Sequence, residues 1–250
     1  MTTGSSPTLQ ACWTMETHRT LVLKTMNYEN APSMATTDDP ISPAEVIDAL
    51  TKTKSKKSGG PSGLSPGFVK LLPDRWILFL TSLFERIFSS GEYPDAWRLS
   101  RLITIHKKGD LLNTNNYRGI SIMDCVGKLY DAILSKRLSQ WFSPDPEQAG
   151  AQHGRGCLEH ILALRLLQDF ATSKRQRLFI VFVDFSKAYD RVPRDGLLNE
   201  LKRLGCGRRI LPAIAATYSS TQMMLGEAVI TASSGVRQGS RRPASFSLCT

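Results

Sequence analysis

The residues best suited to chemistry lie in one run, Leu178-Phe179-Ile180-Val181-Phe182-Val183-Asp184-Phe185-Ser186-Lys187-Ala188-Tyr189-Asp190. Its first six residues are apolar and mostly β-branched or aromatic, long enough for a strand and short for a helix. A run without polar alternation predicts a strand buried on both faces. It ends in the carboxylate of Asp184. A charge at the end of a buried strand costs free energy unless a donor or a cation meets it. Asp184 is therefore either a cap or ion-pair partner, or a metal ligand at the mouth of a sheet. Basic clusters are the second feature. Lys52, Lys54, Lys56 and Lys57 lead into Gly59-Gly60-Pro61-Ser62-Gly63, and Lys107-Lys108 follow a strand-like run. Each reads as a solvated turn or as a loop that contacts phosphate. His153, Cys157 and His160 have a spacing zinc could use. No fourth ligand is near in sequence and two of the three open an ordinary helix pattern, so no zinc site is assigned.

The composition favours a polyanionic partner. Lys and Arg number 32 against 22 Asp and Glu, for a net charge of +10 and a pI of about 9.6. Nucleic acid is the commonest partner of such a chain. Apolar content of 41% over 250 residues fits a globular protein rather than a disordered one. Five scattered cysteines without a CxxC pair suggest free thiols in a reducing compartment, hence an intracellular protein of the nucleus or cytoplasm. No signal-peptide pattern opens the chain, and no apolar run approaches the ~20 residues of a membrane span.

The elements that must position these residues follow from periodicity. Residues 1 to about 40 are rich in Thr, Ser, Met and Pro and read as a weakly ordered segment. Ser42 and Pro43 open a short helix. Arg75 to Phe88 places Trp76, Phe79, Leu80, Leu83, Phe84, Ile87 and Phe88 at helical spacing, with a stop at Ser89-Ser90-Gly91. Leu99 to His106 and Tyr117 to Ile122 form a hairpin-like unit with Lys107, Lys108 and Arg118 near its tip. Residues 124–142 and 158–171 are helices, the second with Ile161, Leu162, Leu167 and Phe170 turned inward. Helices over 193–204 and 208–219 follow, then a β-hairpin over 222–232 around Gly226-Glu227.

Several of these pieces resemble blocks of the reverse transcriptases of non-LTR (LINE-type) retrotransposons. Phe182-Val-Asp184-Phe-Ser-Lys-Ala-Tyr189-Asp190 is similar to that family's first catalytic motif. Lys57-Ser-Gly-Gly-Pro61-Ser-Gly63-Leu, Lys107-Lys108-Gly-Asp110, Asn116-Tyr-Arg118-Gly-Ile-Ser and Ser234-Gly-Val-Arg-Gln238-Gly239 are similar to further blocks, in the family's order. The resemblance covers about residues 41 to 240. It implies an α+β, right-hand polymerase fold, with fingers over 41–172 and part of the palm over 173–250. It implies an RNA-directed DNA polymerase acting by template-directed nucleotidyl transfer. The partners would be an RNA template, a DNA primer and deoxynucleoside triphosphates, with no membrane.

The roles come by resemblance, residue by residue. Asp184 is the catalytic carboxylate and would ligate two magnesium ions, with the backbone carbonyl of Phe185 as a further ligand. Tyr189 is the steric gate against a ribose 2′-hydroxyl. Arg118 grips the triphosphate with Lys107 or Lys108 beside it. Gln238 lies near the base and sugar of the incoming nucleotide. Lys56, Lys57 and Arg155 contact nucleic acid. Gly150-Ala151-Gln152-His153-Gly154-Arg155 departs from the family's Gly-Phe-Arg pattern by one aromatic and one basic residue. The family also places paired aspartates on a palm hairpin. The adjacent aspartates here are Asp38-Asp39, in a Thr/Pro stretch that reads as a solvated loop. We therefore expect a fragment truncated before that motif, thumb absent, without autonomous activity, and with a completing protein chain as an implied partner. The strand carrying Asp184 would then leave apolar surface exposed. The alternatives are a nucleic-acid-binding remnant without catalysis and a non-functional relic of a mobile element.

Overall fold

The computed structural model of the chain describes residues 31, 33–150, 152, 154–186 and 188–236. Helices form where apolar residues recur at helical spacing between local stop and start signals. The first, α1, is a single turn over Ala35–Asp38. Next, α2 spans Pro43–Thr51, with the Ser42 side chain accepting from the Glu45 amide and the Glu45 carboxylate accepting from the Ser42 amide. A short α3 covers Pro66–Lys70. The long α4, Arg75–Ser90, buries Leu80, Phe84, Ile87 and Phe88 and stops at Gly91. Trp76 and Phe79, on the helical apolar pattern, lie outside the core and pack edge-on, centroids 5.3 Å apart. One turn, α5 (Asp95–Arg98), leads into the sheet.

The expected hairpin is present. Strand β1 (Leu99–His106) pairs antiparallel with β2 (Tyr117–Met123) from Ser100↔Met123 to His106↔Tyr117. Helix α6 (Cys125–Trp141) follows, capped by the Asp124 carboxylate on the Val126 amide, and is buried on most of its circumference. Helix α7 spans Cys157–Ser173, α8 is the turn Ala188–Arg191, α9 is Arg194–Arg203 and α10 is Ile210–Tyr218. The second expected hairpin is β3 (Gln222–Leu225) with β4 (Ala228–Thr231). The sheet order is β2-β1-β3-β4, with β3 parallel to β1.

One core joins α2, α4, α6, α9 and α10. At its centre Phe84, Tyr93, Trp97 and Tyr130 contact one another, with ring centroids 5.6–6.2 Å apart. Beside it, Arg137 and Arg209 lie over the Phe88 ring, 5.1 and 4.9 Å from its centroid. Arg137 is 4% exposed at its side chain. It donates to both carboxylate oxygens of Glu45 (2.7 and 2.8 Å) and to the carbonyls of Thr37, Asp39 and Pro40.

Several expectations are corrected. The run Leu178–Val183 is not a buried strand. It carries no regular secondary structure, joins no sheet among the described residues, and exposes Phe179, Val181, Phe182 and Val183. Its apolar residues favour a pleated sheet only when neighbouring strands and covering layers are present, and the four-stranded sheet does not include it. Helix α7 forms as predicted, yet Leu158, Ile161, Leu162, Leu166, Leu167 and Phe170 are exposed rather than inward. Asp38 is not in a solvated loop. It is buried, and its Oδ1 accepts from the amides of Arg209 (2.9 Å) and Ile210 (3.2 Å), capping α10 from 171 residues away. Residues 33–40, read as weakly ordered, are part of the fold; residues 1–30 lie outside the described residues.

Candidate functional site

The β1–β2 hairpin projects beyond the core. Its basal half is buried at Ser100, Ser121 and Met123, and its distal half is exposed at Ile103, Thr104, Ile105 and Arg118 and half-buried elsewhere. The tip is nonetheless built by specific bonds. The Lys107 amide donates to Asn116 O (2.8 Å), Asn116 Nδ2 to Asp110 O (2.9 Å) and the Tyr117 hydroxyl to Leu111 O (3.0 Å). The His106 and Tyr117 rings meet edge-on at 5.2 Å.

Strand geometry sorts the basic residues. Directly paired residues of an antiparallel ladder share a face, and faces alternate along each strand. Arg118 pairs with Ile105 and Arg101 pairs with Ile122. Arg101, Ile103, Ile105 and Arg118 therefore share one face, and Lys107 continues that alternation past the end of β1. Arg118, Lys107 and Lys108 are exposed.

The lysine-rich loop reaches the same face. Arg101 Nη2 donates to Ser58 Oγ (3.0 Å) and Gly59 O (3.1 Å). Lys54, Lys56 and Lys57, just before these acceptors, are exposed. The other end of the loop is held by Gly60, which is buried against the start of α6. A Cβ there would sit 2.6 Å from the backbone of Met123 and Asp124. Gly60→Ala is expected to lever the loop off the sheet at about 1–3 kcal/mol. Faster tryptic cleavage after Lys54, Lys56 or Lys57 would register it, and unchanged cleavage would show that the loop is held elsewhere.

A second cluster surrounds Tyr189. This half-exposed residue sits in α8. Its carbonyl accepts from the Val236 amide (2.9 Å), the Val192 carbonyl from the Gly235 amide (2.9 Å), and the Asp190 carbonyl from the Ser234 hydroxyl (3.2 Å). The structure thus joins the block beginning at Ser234 to the turn carrying Tyr189. Gln238, expected in the same pocket, lies outside the described residues.

Other expected residues are placed differently. Asp184 and Phe185 are exposed on the irregular segment before α8. Among the described residues no group of three His, Cys, Asp or Glu side chains could hold a metal ion. Asp184 is the one carboxylate here that the resemblance assigns to magnesium. Arg155 pairs with Glu159 (2.8 Å) and donates to the Pro146 carbonyl, which uses the guanidinium to close its own loop. Cys125, buried beside Asp124, has its thiol pushed up to about 11 by burial first and the neighbouring carboxylate second, which makes it inert.

Two residues that organise these clusters were not among the predicted site residues. In the sequence Arg101 lies within a strand pattern and Arg194 within a helix pattern, with nothing local to single out Arg194. The signal for Arg101 was its place inside an apolar strand whose opposite end is basic.

Comparison with known proteins identifies the family of the chain. Residues 105–250 match the reverse transcriptase (RNA-dependent DNA polymerase) family. Over 173 residues the chain is 31% identical to the probable RNA-directed DNA polymerase from transposon BS of Drosophila melanogaster, covering 66% of this chain and 19% of that protein. It is 29% identical over 165 residues to the RNA-directed DNA polymerase from mobile element jockey of the same species, covering 64% and 18%. With the jockey protein of Drosophila funebris the identity is 28% over 194 residues, covering 76% and 21%. The chain therefore spans about a fifth of the length of these relatives. No described helix is long and apolar enough to cross a membrane. The chain belongs to the reverse transcriptase family, as a reverse transcriptase domain of the non-LTR retrotransposon type.

Proposed function

We propose that this chain is the template- and nucleotide-gripping part of an RNA-directed DNA polymerase. It holds an RNA template and DNA primer along the face carrying Lys56, Lys57 and Arg101. It holds the triphosphate of an incoming deoxynucleotide with Arg118 and Lys107 or Lys108, and Tyr189 tests the sugar. The observation that supports this reading is the shared face of Arg101, Lys107 and Arg118, with the lysine loop hydrogen-bonded to it. Guanidinium forks suit phosphate oxygens, and lysines add point charge.

Asp184 would contribute one carboxylate to the magnesium chemistry of the family. Nucleotidyl transfer uses a pair of ions to neutralise the triphosphate and activate the attacking oxygen. The adjacent aspartates Asp38-Asp39 are committed to the fold, Asp38 as the cap of α10. The chain alone therefore binds and does not synthesise.

The test is a titration of a primed RNA template across salt, run beside primer extension with magnesium and deoxynucleotides. Affinity should fall roughly 10²-fold between about 50 and 200 mM salt, as for some four or five phosphate contacts. The Lys56→Ala, Lys57→Ala double variant should reduce the salt slope by about 2, and Arg118→Ala should leave that slope unchanged while weakening deoxynucleotide binding. Binding that ignores salt, or no binding, would leave a relic of a mobile element. Template-dependent incorporation that disappears in Asp184→Ala would overturn the non-catalytic part of the reading.

A further inference from the structure

The Tyr189 turn and the Ser234–Val236 segment lie far apart in the chain and are hydrogen-bonded through backbone atoms and one serine hydroxyl. Val236 is buried in the core, whereas Ser234 and Gly235 bring no apolar side chain and need a polar hold. Arg194, the first residue of α9, is placed to give it. It is 7% exposed. Its Nε donates to Gly235 O (3.0 Å), its Nη2 to Ser234 O (3.3 Å) and its Nη1 to Tyr218 O at the end of α10 (3.0 Å). The guanidinium also lies over the Tyr218 ring, 5.6 Å from its centroid. The rigid fork of an arginine matches several carbonyls converging from two segments, which a lysine ammonium cannot reproduce.

Gly235 completes the hold from the other side. Its φ is +82°, and a Cβ there would stand 2.8 Å from the Asp190 backbone. The segment can approach the turn only because this position has no side chain.

We infer that Arg194 is a positioning residue for nucleotide selection: by holding Ser234 and Gly235 it fixes the turn that aims Tyr189 at the sugar of the incoming nucleotide. It touches neither nucleotide nor metal and acts through the backbone of Tyr189, Asp190 and Val192. The inference rests on the proposed role of Tyr189, and it adds the residue on which that role depends.

The experiment uses the full 250-residue chain with Arg194→Ala, Arg194→Lys and Gly235→Ala. Amide hydrogen exchange is measured at Gly235 and Val236, and affinities for dATP and ATP are measured with a primed RNA template and magnesium. Arg194→Ala should speed exchange at both amides roughly tenfold or more while Ile214 and Ala215 within α10 stay protected. It should also lower the preference for dATP over ATP roughly tenfold, because a small misplacement at a binding site is costly. Arg194→Lys should recover part of both effects. Gly235→Ala breaks the same contact without removing a buried charge, so it must reproduce both losses even where Arg194→Ala fails to fold. Unchanged exchange at Gly235 and Val236, or faster exchange everywhere in Gly235→Ala, would overturn the inference. Local loosening with an unchanged dATP-to-ATP ratio would overturn it as well. A wild-type chain that binds template but does not distinguish the two nucleotides would remove the proposed role of Tyr189, and with it the selection role of Arg194. The exchange data would still report whether the tether exists.

Discussion

Arg137→Ala is expected to remove about 3–5 kcal/mol of stability, the usual effect of deleting one partner of a buried ion pair. Domains of ordinary stability hold only about 5–15 kcal/mol in total, so the variant should be largely unfolded at modest urea. The cause is geometric. Arg137 meets Glu45 through two hydrogen bonds and satisfies the carbonyls of Thr37, Asp39 and Pro40 as well. Its loss leaves the partly buried Glu45 carboxylate without its cation and three carbonyls without this donor. The same pair predicts an acid limb. Burial pushes the Glu45 carboxyl up, but the bonds from Arg137 and the Ser42 amide outweigh it and hold it below its ordinary value of 4.5. A depressed carboxylate contributes its stability fully above the unfolded value and loses it as pH falls through the folded one. Wild-type stability should therefore drop below about pH 4.5, and Arg137→Ala should lack this part of the drop. Urea midpoints at pH 7 and pH 4 measure both effects. A midpoint shift worth under about 1 kcal/mol at pH 7 would show that the clamp is replaceable.

The second large effect concerns solubility. Phe179 and Phe182 are 85% and 82% exposed, and Val181, Val183 and Phe185 stand out beside them. Helix α7 presents Leu158, Ile161, Leu162, Leu166, Leu167 and Phe170 to solvent. Together these exceed the scattered apolar residues usual on a monomer. The uncharged β-prone stretch Leu178–Val183 is of the type that pairs between chains. The isolated chain should bind a hydrophobic dye strongly and elute as soluble aggregates. The Phe179→Lys, Phe182→Lys double variant should shift most of it to monomer. Its urea midpoint should stay within about 0.5 kcal/mol of wild type, because these side chains stabilise nothing in the described core. A wild-type chain that runs as a dye-free monomer would mean that the band is covered in solution.

What could be read in the sequence was local. Ser42, Pro43 and Glu45 announced a capped helix, Gly91 a helix stop, and the strands on either side of Lys107-Lys108 a hairpin, because caps and turns act within a few residues. The long-range choices were hidden. Nothing near residue 99 says that β1 takes a parallel partner from residues 222–225, since strand propensity does not name a neighbour. The run before Asp184 was misread for the same reason: its composition suits a buried strand, but burial depends on strands and layers that composition does not supply. Asp38 was hidden behind a polar neighbourhood. One signal could have found it, because α10 begins after Gly207-Arg208-Arg209, with no capping side chain of its own, so its first amides need an acceptor from elsewhere. The site was legible as a set of basic residues and one carboxylate. Their arrangement on one face was not, because it depends on strand register and on Arg101.

The parallel pairing of β1 with β3 also sets a timetable. Ser100 donates to the Gln222 carbonyl across 122 residues of chain. At ~5–20 residues per second, a ribosome needs about 6–24 s to deliver β3 after β1 has been made. During that interval the hairpin can close, but one edge of β1 has no neighbour, and Ile103 and Ile105 are already exposed on its surface. Nascent chains on one messenger would offer one another the same open edge. Chaperone binding during synthesis should therefore concentrate between the emergence of residues 123 and 225, and slower translation across that stretch should lengthen the period of risk.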